Sequence, residues 1–539
     1  MRRSVACAAL VVVVLVLVGT SVTQAAPSSL PSSITSVMNQ PRYGQTRWSL
    51  LVADARTGET LYELEPDRLA FTGSVRKLFS VGLALKELGA EHHFETRVYQ
   101  QGEVDPNGAL QGNLVLVGGG DLTLGGRRLP DGGIAITDFD HNDANSLGTA
   151  TLTPQDPLAG LDELANQVAA SGITSIDGDV VIDDRLFDSY RVPNQYLLVT
   201  PTMVNENMVD VSVTPTQPGQ RASVDYRPQT GAFRVHAAVE TVAAGARASV
   251  SVPAVVPVPG YEPVVGLVNC VGTLPCRGTI TGEIPADYQA PLSGASSFVG
   301  TFRMEDPESF ARTAFIEALQ RAGVDVLATS VARNPSELLP PPDAYTDDAR
   351  VARLLSEPYA DDARLILKVS LNLGANLSLT HFGLAHGERT LPGALSAERR
   401  ALVELGVRPE DFDFPTNGSG SPDSQAAPRA AIQLLRSMAT TPVADVFREA
   451  LPVLGVDGSL AQTGVDLPAR GHVFAKTGTT ITDGELKAQV LAGYVEARGG
   501  RELAFAVYVN DYGPIASIDD VTAVFEDEAR IADAIYQAN

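Results

Sequence analysis

The spacing of apolar and polar positions changes twice along the chain. Near the start, two short runs, SLLVAD (Ser49–Asp54) and TLYEL (Thr60–Leu64), flank a turn at Thr57-Gly58 and predict a pair of strands. Ser74–Leu88 follows with an almost wholly apolar body (Leu78, Phe79, Val81, Leu83, Leu85), the pattern of a helix buried in the middle of a domain. From about residue 92 to 339 short β-rich runs dominate, at Asn113–Val117, Gly178–Asp183, Val209–Val213, Phe233–Val239 and Ala248–Val252. Gly and Pro punctuate them, and a few helices such as Glu308–Ala322 interrupt.

Pro340-Pro341-Pro342 marks a return to longer elements. Arg364–Phe382 reads as one helix, and Pro428 opens another that runs to Met438. Strands are predicted at His472–Lys476, Val490–Glu496 and Leu503–Val509, and a last helix at Ile518–Tyr536. Strands and a buried helix at one end, with strands and helices at the other, predict one mixed α/β domain from residues 32–91 and 340–539, interrupted by a β-rich insert of one or two domains at 92–339.

The 539 residues are 44% hydrophobic and 19% charged, an ordinary globular balance. Arg2 and Arg3, the apolar run Ala6–Val18 and the small-residue site Thr23-Gln24-Ala25 read as an export signal spanning 1–25. Cleavage there predicts an exported protein without an integral membrane anchor, in the periplasm, cell wall or extracellular space. In such a compartment Cys270 and Cys276 are expected to form a local disulfide, with two free buried thiols as the alternative. A net charge of −24 and a pI near 4.7 argue against nucleic acid and anionic membrane surfaces as partners.

Charge composition also directs attention to lysine. Of 40 basic residues only five are lysines: Lys77, Lys86, Lys368, Lys476 and Lys487. Arginine serves wherever a generic positive charge suffices, so a lysine points to chemistry that needs a removable proton. Ser74-Val-Arg-Lys77 places a serine and a lysine three residues apart on one helical face, where a neutral amine can act as general base to the hydroxyl. Ser370-Leu-Asn372 supplies a proton-relaying hydroxyl and an amide for holding substrate. Lys476-Thr-Gly-Thr479 ends a predicted strand: a cation and a hydroxyl suited to a carboxylate, a glycine that admits a substrate backbone, and an edge for an extended peptide.

Each motif alone is weak; their order on helix, helix and strand is specific. S-x-x-K, S-x-N and K-T-G resemble the signature of penicillin-binding proteins and class A β-lactamases. Ser370 follows Ser74 by 296 residues, far more than a compact β-lactamase spans. With that gap, the chain resembles the D-alanyl-D-alanine carboxypeptidase/endopeptidase family, the low-molecular-mass class C penicillin-binding proteins. Further segments resemble it too: Gly118-Gly-Gly-Asp-Leu-Thr-Leu124, Gly178-Asp-Val-Val-Ile-Asp-Asp184, Asn417-Gly-Ser-Gly420, Leu451–Leu460 and Leu491-Ala-Gly-Tyr494. Leu122, Asn417 and the Ala375-Asn376 pair depart from its usual Pro, Asp and Ala-Glu.

The resemblance implies a penicillin-recognising, β-lactamase/transpeptidase-like fold with an antiparallel sheet flanked by helices. It implies Ser74 as acylated nucleophile, Lys77 as its base, and Ser370 as the relay to the departing D-alanine. Asn372 would position the acyl chain, Lys476 and Thr477 would bind the terminal carboxylate, Gly478 would lie against the bound peptide, and the N–H groups of Ser74 and Thr479 would form an oxyanion hole. Expected partners are peptidoglycan stem peptides ending in D-Ala-D-Ala, and β-lactams as covalent inhibitors. Alternatives are a β-lactamase and a non-catalytic peptidoglycan-binding protein on the same fold. No cofactor or metal is expected: H-E-x-x-H and G-x-S-x-G are missing from the sequence. Asp138-Phe-Asp-His-Asn142, which superficially looks like a calcium loop, lacks the Gly and Glu such a loop needs and reads as a solvated acidic loop.

Overall fold

The computed structural model describes residues 29–255, 264–268 and 274–539, so the expected signal at 1–25 and Cys270 lie outside the described residues. Strands β1 (Arg47–Asp54) and β2 (Thr60–Leu64) form the expected hairpin, turned by Gly58 at φ 78°. They join β3 (Val473–Thr482), β4 (Glu485–Glu496) and β5 (Glu502–Pro514) in one antiparallel sheet of order β2-β1-β5-β4-β3. The pairing of Leu50 with Val507 thus ties the two ends of the chain together across the insert.

Side chains on β1 alternate between two cores, as a strand covered on both faces requires. Leu50 and Val52 pack with Val524, Ile531 and Ile535 of α5 (Ile518–Ala538). Leu51 and Ala53 face the other core, built from α1 (Lys77–Leu88), α2 (Tyr359–Val369), α3 (Asn372–Ala385) and α4 (Pro428–Met438). In α1, Leu78, Phe79, Val81 and Leu85 are wholly buried, as its apolar body predicts. A tight 3-10 turn, Gly73–Arg76, precedes α1 and holds Ser74 at its mouth.

The segment between carries its own core. Glu95–Val104 and Ala109–Val117 form a hairpin, extended by Val180–Asp183 in parallel and by Arg350–Leu355 in antiparallel pairing. Helices Ala159–Ala170 and Pro307–Arg321 bury their apolar sides in that core. Met208–Thr214 pairs with Ser223–Arg227 and Phe298–Arg303, while Phe233–Val242 runs parallel to Cys276–Pro285. Ala248–Val252, expected as a strand, forms only an isolated bridge from Ser251 to Thr281. Among the described residues no helix is long and apolar enough to cross a membrane.

Three further expectations are corrected. The helix expected over Arg364–Phe382 is broken: Ser370 adopts φ 63°, ψ 38°, caps α2, and α3 starts afresh at Asn372. K-T-G does not end its strand, since β3 continues to Thr482 paired with β4. The Asp138–Asn142 loop is not solvated throughout: Asp140, His141 and Asn142 are buried. Arg127 donates to both carboxylate oxygens of Asp140 (2.8 and 3.0 Å) and to Glu206 (2.6 Å). His141 contacts Asp210 at 2.7 Å and Glu206 at 3.0 Å, and Arg227 donates to Asp210 at 3.1 Å.

Three carboxylates and two guanidiniums therefore meet in a dry site, and a protonated His141 balances the charge. Burial opposes that charge, but the carboxylates of Asp210, Glu206 and Asp140 outweigh it and push the imidazole from 6.5 up to about 10. A raised pKa means that the folded state holds the proton more tightly than the unfolded chain, so the charged imidazole stabilises the fold most where both states carry the proton. The contribution is full below pH 6.5 and is lost as pH climbs through about 10. Chemical denaturation between pH 6 and 10.5 should show stability falling across this window in the wild type. In His141→Asn, which should be destabilised by about 3–5 kcal/mol at neutral pH, the decline should be flatter.

Candidate active site

Every residue expected to act on or hold the substrate converges where the α1 turn, the α2–α3 break and β3 meet. Lys77 Nζ lies 2.6 Å from Ser74 Oγ, 3.2 Å from Ser370 Oγ, and 2.7 Å from Asn372 Oδ1. Lys476 Nζ donates to the same Ser370 hydroxyl at 2.9 Å and to the Thr477 carbonyl at 3.0 Å. Ser370 thus bridges the two lysines. Its left-handed backbone, unusual for a residue with a Cβ, is what ends α2 and puts Asn372 at the first turn of the next helix.

Burial separates the groups by task. Lys77 and Lys476 are both 0% exposed, whereas Ser74 and Thr479 are half-buried. A half-buried hydroxyl therefore sits on a wholly buried amine. Thr477, 5% exposed, shares a 2.8 Å hydrogen bond with Ser459, and Thr479 Oγ1 donates to Gln489 at 3.2 Å.

Gly478 has a different reason to be glycine from the one expected. The backbone that approaches it belongs to the protein: a Cβ there would stand 2.2 Å from the Thr72 carbonyl and 3.1 Å from Ser74 N. Across the same turn, a Cβ on Gly420 would stand 2.0 Å from the Gly73 carbonyl. The Ser74 turn is thus clamped between β3 and the Asn417–Gly420 loop, each passing it at backbone contact.

Several supporting groups escape a reading of the motifs. The Ser419 carbonyl accepts from Lys77 at 3.2 Å, and Asn376, 0% exposed, donates to Ser419 Oγ at 3.0 Å. Lys368, buried and with its pKa lowered by desolvation, pairs with Asp457 at 2.7 Å and braces the loop that presents Ser459. Asp138 accepts from Gly458 N at 2.7 Å, tying the insert to that loop. Arg76 forms a wholly buried two-pronged pair with Glu398 (2.7 and 2.5 Å), its guanidinium 4.0 Å over the Phe414 ring. The segments Asn417–Gly420 and Leu451–Leu460 are visible as resemblances, but their partners lie outside them, as far as 342 residues away in sequence. Cys276 is buried at the start of its strand.

A serine hydroxyl resting on a buried lysine, beneath an antiparallel sheet whose edge strand carries K-T-G, defines a penicillin-recognising serine hydrolase. The D-Ala-D-Ala carboxypeptidase 3 (S13) family model matches residues 30–529; the chain belongs to that family and is a serine-type D-Ala-D-Ala carboxypeptidase. It is 28% identical over 522 residues to a D-alanyl-D-alanine carboxypeptidase from Actinomadura, covering 92% of this chain and 84% of that one. A second relative, carboxypeptidase DacB of Mycolicibacterium smegmatis, is 25% identical over 207 residues, 37% of this chain and 44% of its own. The solved penicillin binding protein 4 of Haemophilus influenzae superposes with a TM-score of 0.66 at 18% identity, over 93% of this chain and 98% of its own, and so shares the fold.

The clamp around Ser74 gives a direct test. Gly478→Ala should force β3 away from the turn, destabilise the protein by about 1–3 kcal/mol, and slow penicillin acylation by about 100-fold or more. Stopped-flow acylation alongside thermal unfolding measures both.

Proposed function

We propose that the protein is exported and cleaves the terminal D-Ala-D-Ala bond of peptidoglycan stem peptides through an acyl-enzyme on Ser74, that it also opens D-Ala cross-links as an endopeptidase, and that penicillins acylate the same serine. The observation that carries this reading is the 2.6 Å contact between Ser74 Oγ and Lys77 Nζ, with Ser370 bridging Lys77 and Lys476. Ser74 Oγ attacks the penultimate D-alanine carbonyl as Lys77 accepts its proton. The N–H groups of Ser74 and Thr479 hold the oxyanion. On collapse the C–N bond breaks, and the proton returns from Lys77 through Ser370 to the departing D-alanine amine. Water then releases the acyl peptide.

Lys476 and Thr477 hold the terminal carboxylate, and Asn372 the acyl-side amide. The chain order supports a peptidase domain of 32–91 plus 340–539 around an insert at 92–339. The pairing of Arg350–Leu355 with Glu95–Val104 favours drawing the second boundary after Leu355. An oxidised Cys270–Cys276 pair fits an exported protein and the disulfide-bonded state of Cys276.

Release of D-alanine from a pentapeptide substrate tests the assignment of the base. Lys77→Arg, which cannot accept a proton, should lower the rate by about 10²–10⁴-fold while the protein stays folded. Lys476→Arg should lose less, because a guanidinium still holds a carboxylate. Small and equal losses at both positions would remove Lys77 as the base. Digestion of cross-linked muropeptides, read by mass spectrometry, should yield monomers; intact cross-links would confine the enzyme to carboxypeptidase action.

A further inference from the structure

A neutral lysine amine has two N–H groups and one lone pair, and only the lone pair can take the Ser74 proton. Which way it points is set by the neighbours. Asn372 Oδ1 and the Ser419 carbonyl lie 2.7 and 3.2 Å from Nζ. Carbonyl oxygens only accept, so these two draw the N–H groups and leave the lone pair to the hydroxyl side, where Ser74 Oγ stands at 2.6 Å. The Ser419 carbonyl therefore matters to the direction of proton transfer as well as to the solvation of the amine.

That carbonyl lies in a loop with no regular pairing of its own, and Asn376 on α3 fixes it. Its Oδ1 accepts from Gly418 N at 2.9 Å and its Nδ2 donates to Ser419 Oγ at 3.0 Å, so one amide holds the chain at consecutive residues. The Gly418 N–H can only donate, which settles which end of the amide is oxygen. Nδ2 also donates at 2.8 Å to the backbone carbonyl of Asn372, the other residue that orients Lys77. Asn417 completes the brace by accepting from Ser419 N and Gly420 N at 2.8 and 2.7 Å. Asn376 is itself held by α3, whose Asn376 carbonyl accepts from Tyr190 of the insert at 2.9 Å.

We infer that Asn376 is a positioning residue for acylation: by locking Gly418 and Ser419 against the S-x-N turn, it aims the Lys77 lone pair at Ser74. Asn376 touches neither substrate nor the reacting atoms, so its removal should change the rate of the covalent step and leave the encounter with substrate alone. The inference rests on Lys77 being the base to Ser74.

The test uses the full chain and a chromogenic penicillin, resolving the pre-covalent dissociation constant from the acylation rate constant. Asn376→Leu, nearly isosteric, should lower the acylation rate constant by about 10–100-fold, since displacement of a catalytic group by about 1 Å costs on that order. The dissociation constant should change less than about 3-fold, an uncoupling that general loosening of the site would not produce. Ser419→Ala removes only the hydroxyl that Asn376 holds. It should give a smaller loss in the same rate constant, and the double variant should be no slower than Asn376→Leu alone. Ser378→Ala, a buried residue of the same helix bonded to the Gly374 carbonyl, should acylate at the wild-type rate. If Asn376→Leu is unfolded by thermal melting, the Ser419→Ala rate decides by itself. Wild-type acylation in folded Asn376→Leu or, in that case, in Ser419→Ala overturns the inference, as does a loss confined to the dissociation constant. Absence of acylation in the wild type would instead overturn the functional reading on which it rests.

Discussion

A primary amine buried to zero exposure constrains this enzyme more than any other group. Lys77 is unfavourable in a dry interior unless polar atoms surround it, and no single segment of the chain supplies enough of them. Ser74 comes from its own turn, Ser370 and Asn372 from the α2–α3 break, and the Ser419 carbonyl from the loop beyond α3. Satisfying the amine therefore requires the α2–α3 break, the Asn417–Gly420 loop and the Ser74 turn to assemble together. The same atoms that make its burial tolerable are those that would orient it for the proposed proton transfer, so on this account stability and chemistry draw on one set of contacts.

The long-range pairing of β1 with β5 makes that assembly possible. It brings residues before the insert and residues after it into one sheet, with α1 on one face. The insert is then attached at more than its two chain connections. Tyr190 reaches the α3 backbone, His381 of α3 meets the Gly120 carbonyl at 2.8 Å, and Asp138 holds the loop of Ser459. Its own interior is ordered by charge as well as by apolar packing, around Arg127, His141 and their carboxylates. Breaking any one member would strand the others without water, which makes this network a demanding but specific lock.

Much of this was legible in the sequence, because local signals and tertiary demands agree. Pro428 begins its helix at the residue expected, and the apolar body of α1 is buried as its composition predicts. The ordered motifs located Ser74, Lys77, Ser370, Asn372 and the K-T-G strand. What could not be read depends on partners distant in sequence. Nothing in the apolar spacing around Ser370 announces a break, since Leu367 and Leu371 continue the helical pattern; the break is imposed by contacts to Lys77 and Lys476. Asp140 looks solvated because its counter-ion is not adjacent, and Gly478 looks like a substrate-facing glycine because the turn it touches lies some 400 positions earlier.

The central claim is that Ser74 is the nucleophile and that Lys77 activates it. Incubating the full chain with a penicillin and mapping the adduct by peptide mass spectrometry tests both halves at once. The account predicts one penicilloyl group per chain, on the peptide containing Ser74, and none in Ser74→Ala or, within the same time, in Lys77→Arg. An adduct on another residue, or an unchanged rate of labelling in Lys77→Arg, would contradict it.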